Sequence, residues 1–152
     1  MITIEQIKTE FSYINALLGS SEFYHDTVIF EGHGEFCDIY IKCSKKEITQ
    51  EQVDIYNTFK LNYKSFLDEI ERFVSFNLEP NEKSKYEEIR NATLTFDVIE
   101  IPIQNDKYDL VLVCGKTYKY FTFFKKNINL RVEFNNDKIN SIRRKKDTTQ
   151  DN

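Results

Sequence analysis

Glycine and histidine are scarce in this sequence, which argues against two kinds of site. A phosphate-cradling loop needs several glycines close together, whereas this chain has only four, which are scattered: Gly19, Gly32, Gly34 and Gly115. The two histidines lack the spacing that places two metal ligands on one helical face. We predict that His33 lies in a polar turn and His25 in a solvated loop before a strand. We therefore expect no metal site.

Cysteine is also infrequent. The three cysteines, Cys37, Cys43 and Cys114, follow no CxxC or zinc-type spacing and leave one without a disulfide partner. Cys37 and Cys114 fall in apolar strand segments, where burial raises the pKa of a thiol and makes it inert. We expect buried free thiols, no catalytic residue, and no metal or organic cofactor. The sequence therefore favours a protein that is not an enzyme.

Long hydrophobic runs are absent as well. No segment approaches the run of about 18 apolar residues that a membrane-spanning helix requires. The first residues, MITIEQIKTEF, carry acidic and polar side chains where a signal peptide needs a basic and then an apolar region. We expect a cytoplasmic protein that does not contact a membrane.

Aromatic residues are abundant, although tryptophan is missing. Phenylalanine and tyrosine supply 13 and 9 residues of the 152, and rings of this size dominate a core. A domain of this length buries roughly 70% of the surface that its unfolded chain exposes. We predict a single domain over residues 1–144 and a disordered tail at 145–152, because the tail has nothing to bury.

The longest helical pattern runs from Thr49 to Leu78. Thr49 and Gln52 have capping-box spacing, and Pro80 ends the helix because proline cannot continue one. Apolar residues at steps of three and four predict one buried stripe: Val53, Tyr56, Phe59, Tyr63, Phe66, Leu67, Ile70, Phe73, Val74 and Leu78.

A shorter helix is predicted over residues 3–18, with Thr3 and Gln6 as its capping box and Gly19 at its end. Residues 26–32 and 34–43 then alternate as the two strands of a hairpin around a His33-Gly34 turn. The odd positions of the second strand are predicted to face the core: Cys37, Ile39, Ile41 and Cys43. Phe36 and Tyr40 then need a partner on the outer face or exposure to solvent.

Residues 79–88 are polar and predict a loop or a loose helical turn. The rest of the chain is strand-like, and its turn-type residues predict an antiparallel meander of four to five strands: 92–103, 108–115, 118–126, 127–134 and 137–144. The predicted fold is α+β, in the order helix, hairpin, long amphipathic helix and meander, with the helices packed on the sheet. In the preferred arrangement both helices pack on the same face of the sheet. In the alternative the first helix packs on the outer face and covers Phe36 and Tyr40.

Charge is distributed unevenly along the chain. The net charge is −4 overall, −9 over residues 1–100 and +5 over residues 101–152. The alternative function is a nucleic-acid-binding or housekeeping interaction domain that uses the basic C-terminal strands. Its surface would consist of basic residues near aromatic rings: Lys116, Lys119, Arg143 and Arg144. The aromatic residues of the predicted strand 118–126 fall on both of its faces, so at least one set belongs to the core. The whole chain is also acidic, so nucleic acid is the less favoured partner.

The acidic part of the chain offers a different surface. Three carboxylates and two aromatic rings cluster near the hairpin: Glu31, Glu35, Asp38, Phe36 and Tyr40. Carboxylates attract a basic protein partner, and buried aromatic side chains contribute much of the affinity at interfaces. We predict that these five residues bind a basic protein.

Three segments resemble a loose group of small bacterial α+β domains of unknown function. The segments span about residues 24–143: DTVIFEGHGEFCDIYIKC, ITQEQVDIYNTFKLNYKSFLDEI and LRVEFNNDKINSIR. In that group an I-T-x-E-Q motif, here Ile48 to Gln52, leads from a hairpin into a long helix, and a final hairpin turns at a segment like Asn136-Asp137-Lys138. Some members look like immunity proteins of polymorphic-toxin or contact-dependent inhibition systems. The resemblance implies a protein that binds and blocks a cognate toxin without chemistry of its own.

Overall fold

A computed structural model describes residues 1–15, 21–30, 36–77, 94–103, 107–120 and 124–145. In this part of the chain, two helices accompany one sheet whose strand order follows the sequence from β1 to β7. The elements are α1 (Ile4–Glu10), β1 (Ser12–Asn15), β2 (Glu22–Ile29), β3 (Phe36–Cys43), α2 (Gln50–Asn77), β4 (Leu94–Ile101), β5 (Leu110–Tyr120), β6 (Phe124–Asn135) and β7 (Lys138–Lys145). The predicted α+β class is confirmed, but the sheet has seven strands, more than the four to five predicted for the C-terminal meander, and the order differs because β1 precedes the predicted hairpin.

The first helix is shorter than predicted. Its capping box forms as expected, with bonds of 3.0 and 3.3 Å between Thr3 and Gln6. The backbone turns extended at Phe11, however, and Ser12–Asn15 pairs with β2 as the edge strand β1. Residues 12–15 have the apolar spacing of a helix, but pairing with β2 and the contact between the Tyr13 and Tyr24 rings, 5.6 Å apart, favour a strand there. The predicted helix end at Gly19 lies outside the described residues.

The hairpin also differs from the prediction at its first strand. β2 begins at Glu22 rather than at residue 26, so His25 lies inside a strand and not in a loop. The predicted turn at His33-Gly34 falls outside the described residues. The alternation of β3 is confirmed, since all four odd positions are buried: Cys37, Ile39, Ile41 and Cys43.

The long helix is α2, and its capping box is confirmed by bonds of 3.0 and 3.2 Å between Thr49 and Gln52. The backbone kinks at Asn62, where φ is −118° and ψ is 17°. The side chain of Asn62 there donates to the carbonyl oxygen of Thr58 at 3.1 Å. The predicted stripe is buried at most of its described positions: Val53, Tyr56, Phe59, Phe66, Leu67 and Ile70. The predicted helix end near Leu78 and Pro80 lies outside the described residues.

One pair of neighbouring strands is parallel. β3 and β4 align from Asp38 with Val98 to Ile41 with Ile101, because α2 carries the chain back between them. All other pairs of neighbouring strands in the described sheet are antiparallel. The prediction of an antiparallel sheet is therefore wrong for this pair.

The C-terminal strands are longer than predicted. β5 and β6 pair without interruption from Leu110 with Phe134 to Tyr120 with Phe124. The turn predicted at Lys116-Thr117 therefore lies within β5, and the predicted strand 118–126 is divided between β5 and β6. Continuous cross-strand pairing outweighs the weak turn preference of two polar residues. Lys145 ends β7 instead of starting the predicted tail, and residues 146–152 lie outside the described part.

Both helices contribute to one hydrophobic core on one face of the sheet. Phe11, which directly follows α1, packs against Tyr56 of α2, with 6.0 Å between the ring centroids. Asn57 of α2 also bonds the backbone of Ile2 in both directions, at 2.8 and 3.0 Å. The structure thus has the preferred arrangement, in which neither described helix covers Phe36.

Candidate functional site

We call the side of the sheet opposite α1 and α2 the open face. On β2 and β3 its residues alternate with those of the core: Phe23, His25, Thr27, Ile29, Phe36, Asp38, Tyr40 and Lys42. The open face has two parts: in one, charged side chains are paired with each other, and in the other, apolar side chains are exposed to solvent.

One part of the open face carries a network of charged and polar side chains that runs from β3 to β7, which we call the ionic ladder: Lys42, Glu100, Arg131, Glu133 and Ser141. Lys42 Nζ lies 2.7 Å from Glu100 Oε1, and Arg131 contacts both Glu100 at 3.8 Å and Glu133 at 3.3 Å. Arg131 on β6 thereby reaches across β5 to β4. Val111 of β5, which lies in register with both glutamates, is fully buried.

The Glu133 carboxylate anchors the ladder at β7. Its pKa is lowered chiefly by the hydrogen bond that Ser141 Oγ donates to Oε2 at 2.7 Å, and further by the bond from Arg131. The carboxylate is therefore ionised at neutral pH and paired within the protein. The charges of the ladder are thus paired with one another within the described part of the protein.

The part over β2 and β3 ends in an exposed apolar pair, Ile29 and Phe36. These residues are directly opposite each other in the β2–β3 register. Their exposed fractions are 59% and 72%, so most of both side chains faces solvent. Adjacent exposed apolar residues on a sheet face mark a surface suited to a protein partner.

A polar and aromatic cluster adjoins the apolar pair. Asp38 Oδ1 accepts from Thr27 Oγ1 at 2.9 Å and lies 3.0 Å from His25 Nε2. Hydrogen bonds from His25 and then Thr27 lower the pKa of Asp38. Tyr40 stacks on His25 with 4.8 Å between ring centroids and meets the edge of Phe23 at 5.1 Å. These neighbours on the same face, rather than a helix, leave Tyr40 half-buried.

The structure therefore brings together three of the five predicted site residues. Phe36, Asp38 and Tyr40 occupy consecutive outward positions of β3. Glu31 and Glu35 lie outside the described residues. Sequence reasoning missed His25 and Thr27, which stand opposite Tyr40 and Asp38 in the register. Placing the start of β2 at Glu22 would have revealed them, because alternate residues of a strand share a face.

Carboxylates outnumber basic residues in the segment that contains β1, β2 and most of β3. Residues 9–41 contain no lysine or arginine but six carboxylates: Glu10, Glu22, Asp26, Glu31, Glu35 and Asp38. This stretch includes β1, β2 and most of β3. The opposite edge strand, β7, has four basic residues and no acidic one: Lys138, Arg143, Arg144 and Lys145. Lys42 on β3 and Lys46, whose ammonium lies 4.9 Å from the Tyr13 ring of β1, offset part of the negative charge near β1 to β3.

The residues proposed for the nucleic-acid alternative are not adjacent in the sheet. Lys116 and Lys119 belong to β5, whereas Arg143 and Arg144 belong to β7, and β6 separates the two strands. In the register Lys116 is opposite Ile128, whereas Arg143 is opposite Arg131, three residues further along β6. These residues therefore lie on two strands that are not neighbours in the described sheet.

Neither the thiols nor a metal site offers chemistry in the described part of the chain. All three cysteines are free and buried, and burial raises the pKa of Cys37 to about 12 and that of Cys114 well above its ordinary value. No group of three or more His, Cys, Asp or Glu side chains is placed to hold a metal among the residues the structure describes. Likewise, neither described helix is long and apolar enough to cross a membrane.

The open face over β2 and β3 is thus the surface with the strongest features of a binding site. It combines an exposed apolar pair, an ordered carboxylate and a stack of rings within one hairpin. No family model, no characterised protein and no solved structure matches this chain.

Proposed function

We propose that this chain is a binding protein of the immunity type, which neutralises a basic toxin domain by covering its active site and catalyses no reaction itself. In this proposal the protein acts in the cytoplasm of the cell that it protects. The observation that carries the proposal is the exposure of Phe36 and Ile29 on a face that neither described helix covers. The resemblance of the hairpin, long helix and final hairpin to immunity-like domains supports it.

The binding surface is the β2–β3 part of the open face rather than the ionic ladder. Contacts at an interface stabilise a complex mainly where apolar and aromatic side chains become buried. Phe36 and Ile29 supply such side chains, whereas Glu100, Arg131 and Glu133 already satisfy one another. Covering the ladder would remove water from paired charges and gain little.

The partner is basic because β2 and β3 carry three carboxylates against one lysine, Lys42, which is paired with Glu100. Six carboxylates between residues 9 and 41 create a negative field, which accelerates association with a positively charged protein and disfavours acidic ones. Nuclease domains have such positive surfaces because their substrate is a polyanion. A toxin of that class therefore fits the proposal.

The test begins with the neighbouring gene. If it encodes a large secreted protein with a variable C-terminal domain, that domain is expressed in bacteria with and without this chain, and growth is measured. We expect the chain to restore growth, the double variant Ile29→Ala/Phe36→Ala to fail, and Leu61→Ala to succeed. Leu61 is the matched control because it is an apolar residue of α2 with 71% exposure.

The competing function is nucleic-acid binding through the basic C-terminal strands. Arg143 is exposed on the edge strand β7, where it is accessible to a phosphate. Failure of the rescue, together with retardation of single-stranded RNA that falls steeply with salt and disappears in Arg143→Glu, would replace the immunity proposal with this one.

A further inference from the structure

Asp38 is held in one orientation on the open face. Thr27 Oγ1 and His25 Nε2 both contact Oδ1, at 2.9 and 3.0 Å, and neither of these two contacts uses Oδ2. The side chain is 45% exposed, so a group in solvent reaches it. Hydrogen bonds from His25 and Thr27 lower the pKa of Asp38, which keeps the carboxylate charged at neutral pH.

Aromatic side chains flank this carboxylate along the strand. Phe36 and Tyr40 are two residues before and after Asp38, and all three point to the open face. The Tyr40 ring is engaged by His25 and Phe23, with centroids 4.8 and 5.1 Å away. Phe36, by contrast, is 72% exposed and makes no ring contact with another described residue. Its ring is available to a ligand that also reaches Asp38.

A planar cation matches this arrangement. An arginine guanidinium donates hydrogen bonds in its plane and stacks its face on an aromatic ring, whereas a lysine ammonium is a strongly hydrated point charge. A guanidinium bonded to Asp38 would lie within reach of the Phe36 ring, because alternate residues of a strand are roughly 6.6 Å apart. Nucleic acid does not fit, since its phosphates would be repelled by the carboxylate.

We infer that Asp38, together with the exposed ring of Phe36, is a receptor for an arginine side chain of the basic partner. This inference rests on the proposed function. It identifies one contact within the proposed binding surface. His25 and Thr27 are positioning residues, because they orient the carboxylate and do not touch the arginine.

The test is an NMR titration of the full chain with two synthetic peptides. One is an oligo-arginine peptide, and the other is an oligo-citrulline peptide of equal length, whose side chains have nearly the same shape but no charge. We expect the arginine peptide to shift the amide signals of residues 36–40 at low salt. The citrulline peptide should bind at least tenfold more weakly, and an oligo-lysine peptide several-fold more weakly.

Two variants locate the contact and one serves as a control. Asp38→Asn removes the charge but keeps an oxygen for Thr27, and Phe36→Ala removes an exposed ring, so both are expected to fold. Each should weaken binding of the arginine peptide by about tenfold. Asp68→Asn, which removes an exposed carboxylate on α2, should leave the affinity within twofold of the original.

The two proposals fail in different ways. Equal weakening by Asp68→Asn and Asp38→Asn, or shifts spread over all acidic surfaces, would overturn the arginine receptor, since either would indicate unspecific attraction. If rescue from a toxin depends on Phe36 but is unaffected by Asp38→Asn, the immunity proposal stands and the receptor falls. If the peptide results are as expected but no toxin is neutralised, the immunity proposal fails.

Discussion

Gln52 and Pro102 are fifty residues apart in sequence, yet a buried hydrogen bond of 2.8 Å joins them. The same side-chain amide donates to the carbonyl oxygen of Lys42 at 2.8 Å, and its own oxygen accepts from the backbone of Thr49 at 3.0 Å. One glutamine thus caps α2 and ties together the carboxyl ends of the parallel strands β3 and β4.

We predict that Gln52→Glu destabilises the protein severely. A buried carboxylate would face the carbonyl oxygens of Lys42 and Pro102 with no proton to donate, and unsatisfied buried groups cost roughly 1–3 kcal/mol each. The expected loss in the free energy of unfolding is about 2–4 kcal/mol, measured by urea denaturation. Gln50→Glu, an exposed change in the same helical turn that replaces a hydrogen bond to Asp54 with a like-charge pair, should cost only about 0.5 kcal/mol. Equal midpoints for the two variants would contradict the role assigned to Gln52.

The variant Glu133→Gln tests whether the ionic ladder stabilises the protein, because the loss in the free energy of unfolding should depend on pH. The pKa of Glu133 is lower in the folded protein than in the unfolded chain, where it is about 4.3. The ionised carboxylate therefore stabilises the fold above that value. This stabilisation is lost as pH falls through the folded pKa. The variant should be less stable than the original protein by roughly 1–2 kcal/mol at pH 7. The difference should shrink in acid, as pH falls through the lowered pKa of Glu133 and its carboxyl becomes protonated.

A matched control separates this effect from ordinary surface charge. Glu47 pairs with Lys8 at 3.0 Å, but its side chain is 74% exposed. Exposed pairs contribute between about 0 and 1 kcal/mol, so Glu47→Gln should change stability little at either pH. A pH-independent deficit in Glu133→Gln would show that lost packing, not lost charge, is responsible.

The thiols should be unreactive in the folded protein. Burial raises the pKa of Cys37 to about 12 and that of Cys114 well above its usual range, and only the thiolate attacks a disulfide reagent. We expect no reaction with Ellman's reagent at pH 8 within an hour and release of three equivalents in guanidinium chloride, in agreement with three free cysteines. Rapid labelling of the folded protein would show that the core opens locally.

The turn between β3 and α2 contains avoidable strain. Lys45 and Lys46 have φ of 53° and 64°, in the left-handed region that asparagine and glycine adopt more readily than lysine. Lys45→Asn should therefore raise the free energy of unfolding by about 0.5–1 kcal/mol. Lys46 is left unchanged because its ammonium lies 4.9 Å from the centre of the Tyr13 ring. Thermal unfolding measures the gain, and Lys45→Val should shift the melting temperature downwards.

Phe66 tests the packing of α2 on the sheet. Its ring lies 5.2 Å from that of Phe59 and 5.1 Å from that of Phe134. Phe66→Asp would bury a charge without a partner and should cost several kcal/mol, on the order of 4 or more. Leu61→Asp places the same charge at an exposed site of the same helix and should be tolerated. Similar melting of the two variants would refute the burial of this stripe.

Features encoded by local chemistry could be predicted from the sequence. The capping boxes at Thr3 and Thr49 depend on residues three apart, and the alternation of β3 depends on neighbours two apart. The kink at Asn62 had a local signal that was missed, because asparagine side chains compete for backbone carbonyls within helices.

Features that depend on a distant partner could not be predicted in this way. Ser12–Asn15 has helical periodicity but becomes a strand because β2 offers it hydrogen bonds. His25 enters the candidate site only through its position opposite Tyr40, which requires the register of the hairpin. Arg131 similarly crosses β5 to reach Glu100, a contact set by strand order rather than by sequence spacing.

The parallel pairing of β3 with β4 also has a consequence for folding kinetics. Within β1 to β3 and within β4 to β7 each strand pairs with a neighbour in sequence, whereas the β3–β4 seam joins residues from opposite sides of α2. Closing a long loop costs entropy before any contact compensates for it, so non-local pairing is slow. We expect the two meanders to form first and the seam to close late, with Gln52 securing it. In native-state hydrogen exchange the two sides of the sheet should then behave as separate cooperative units.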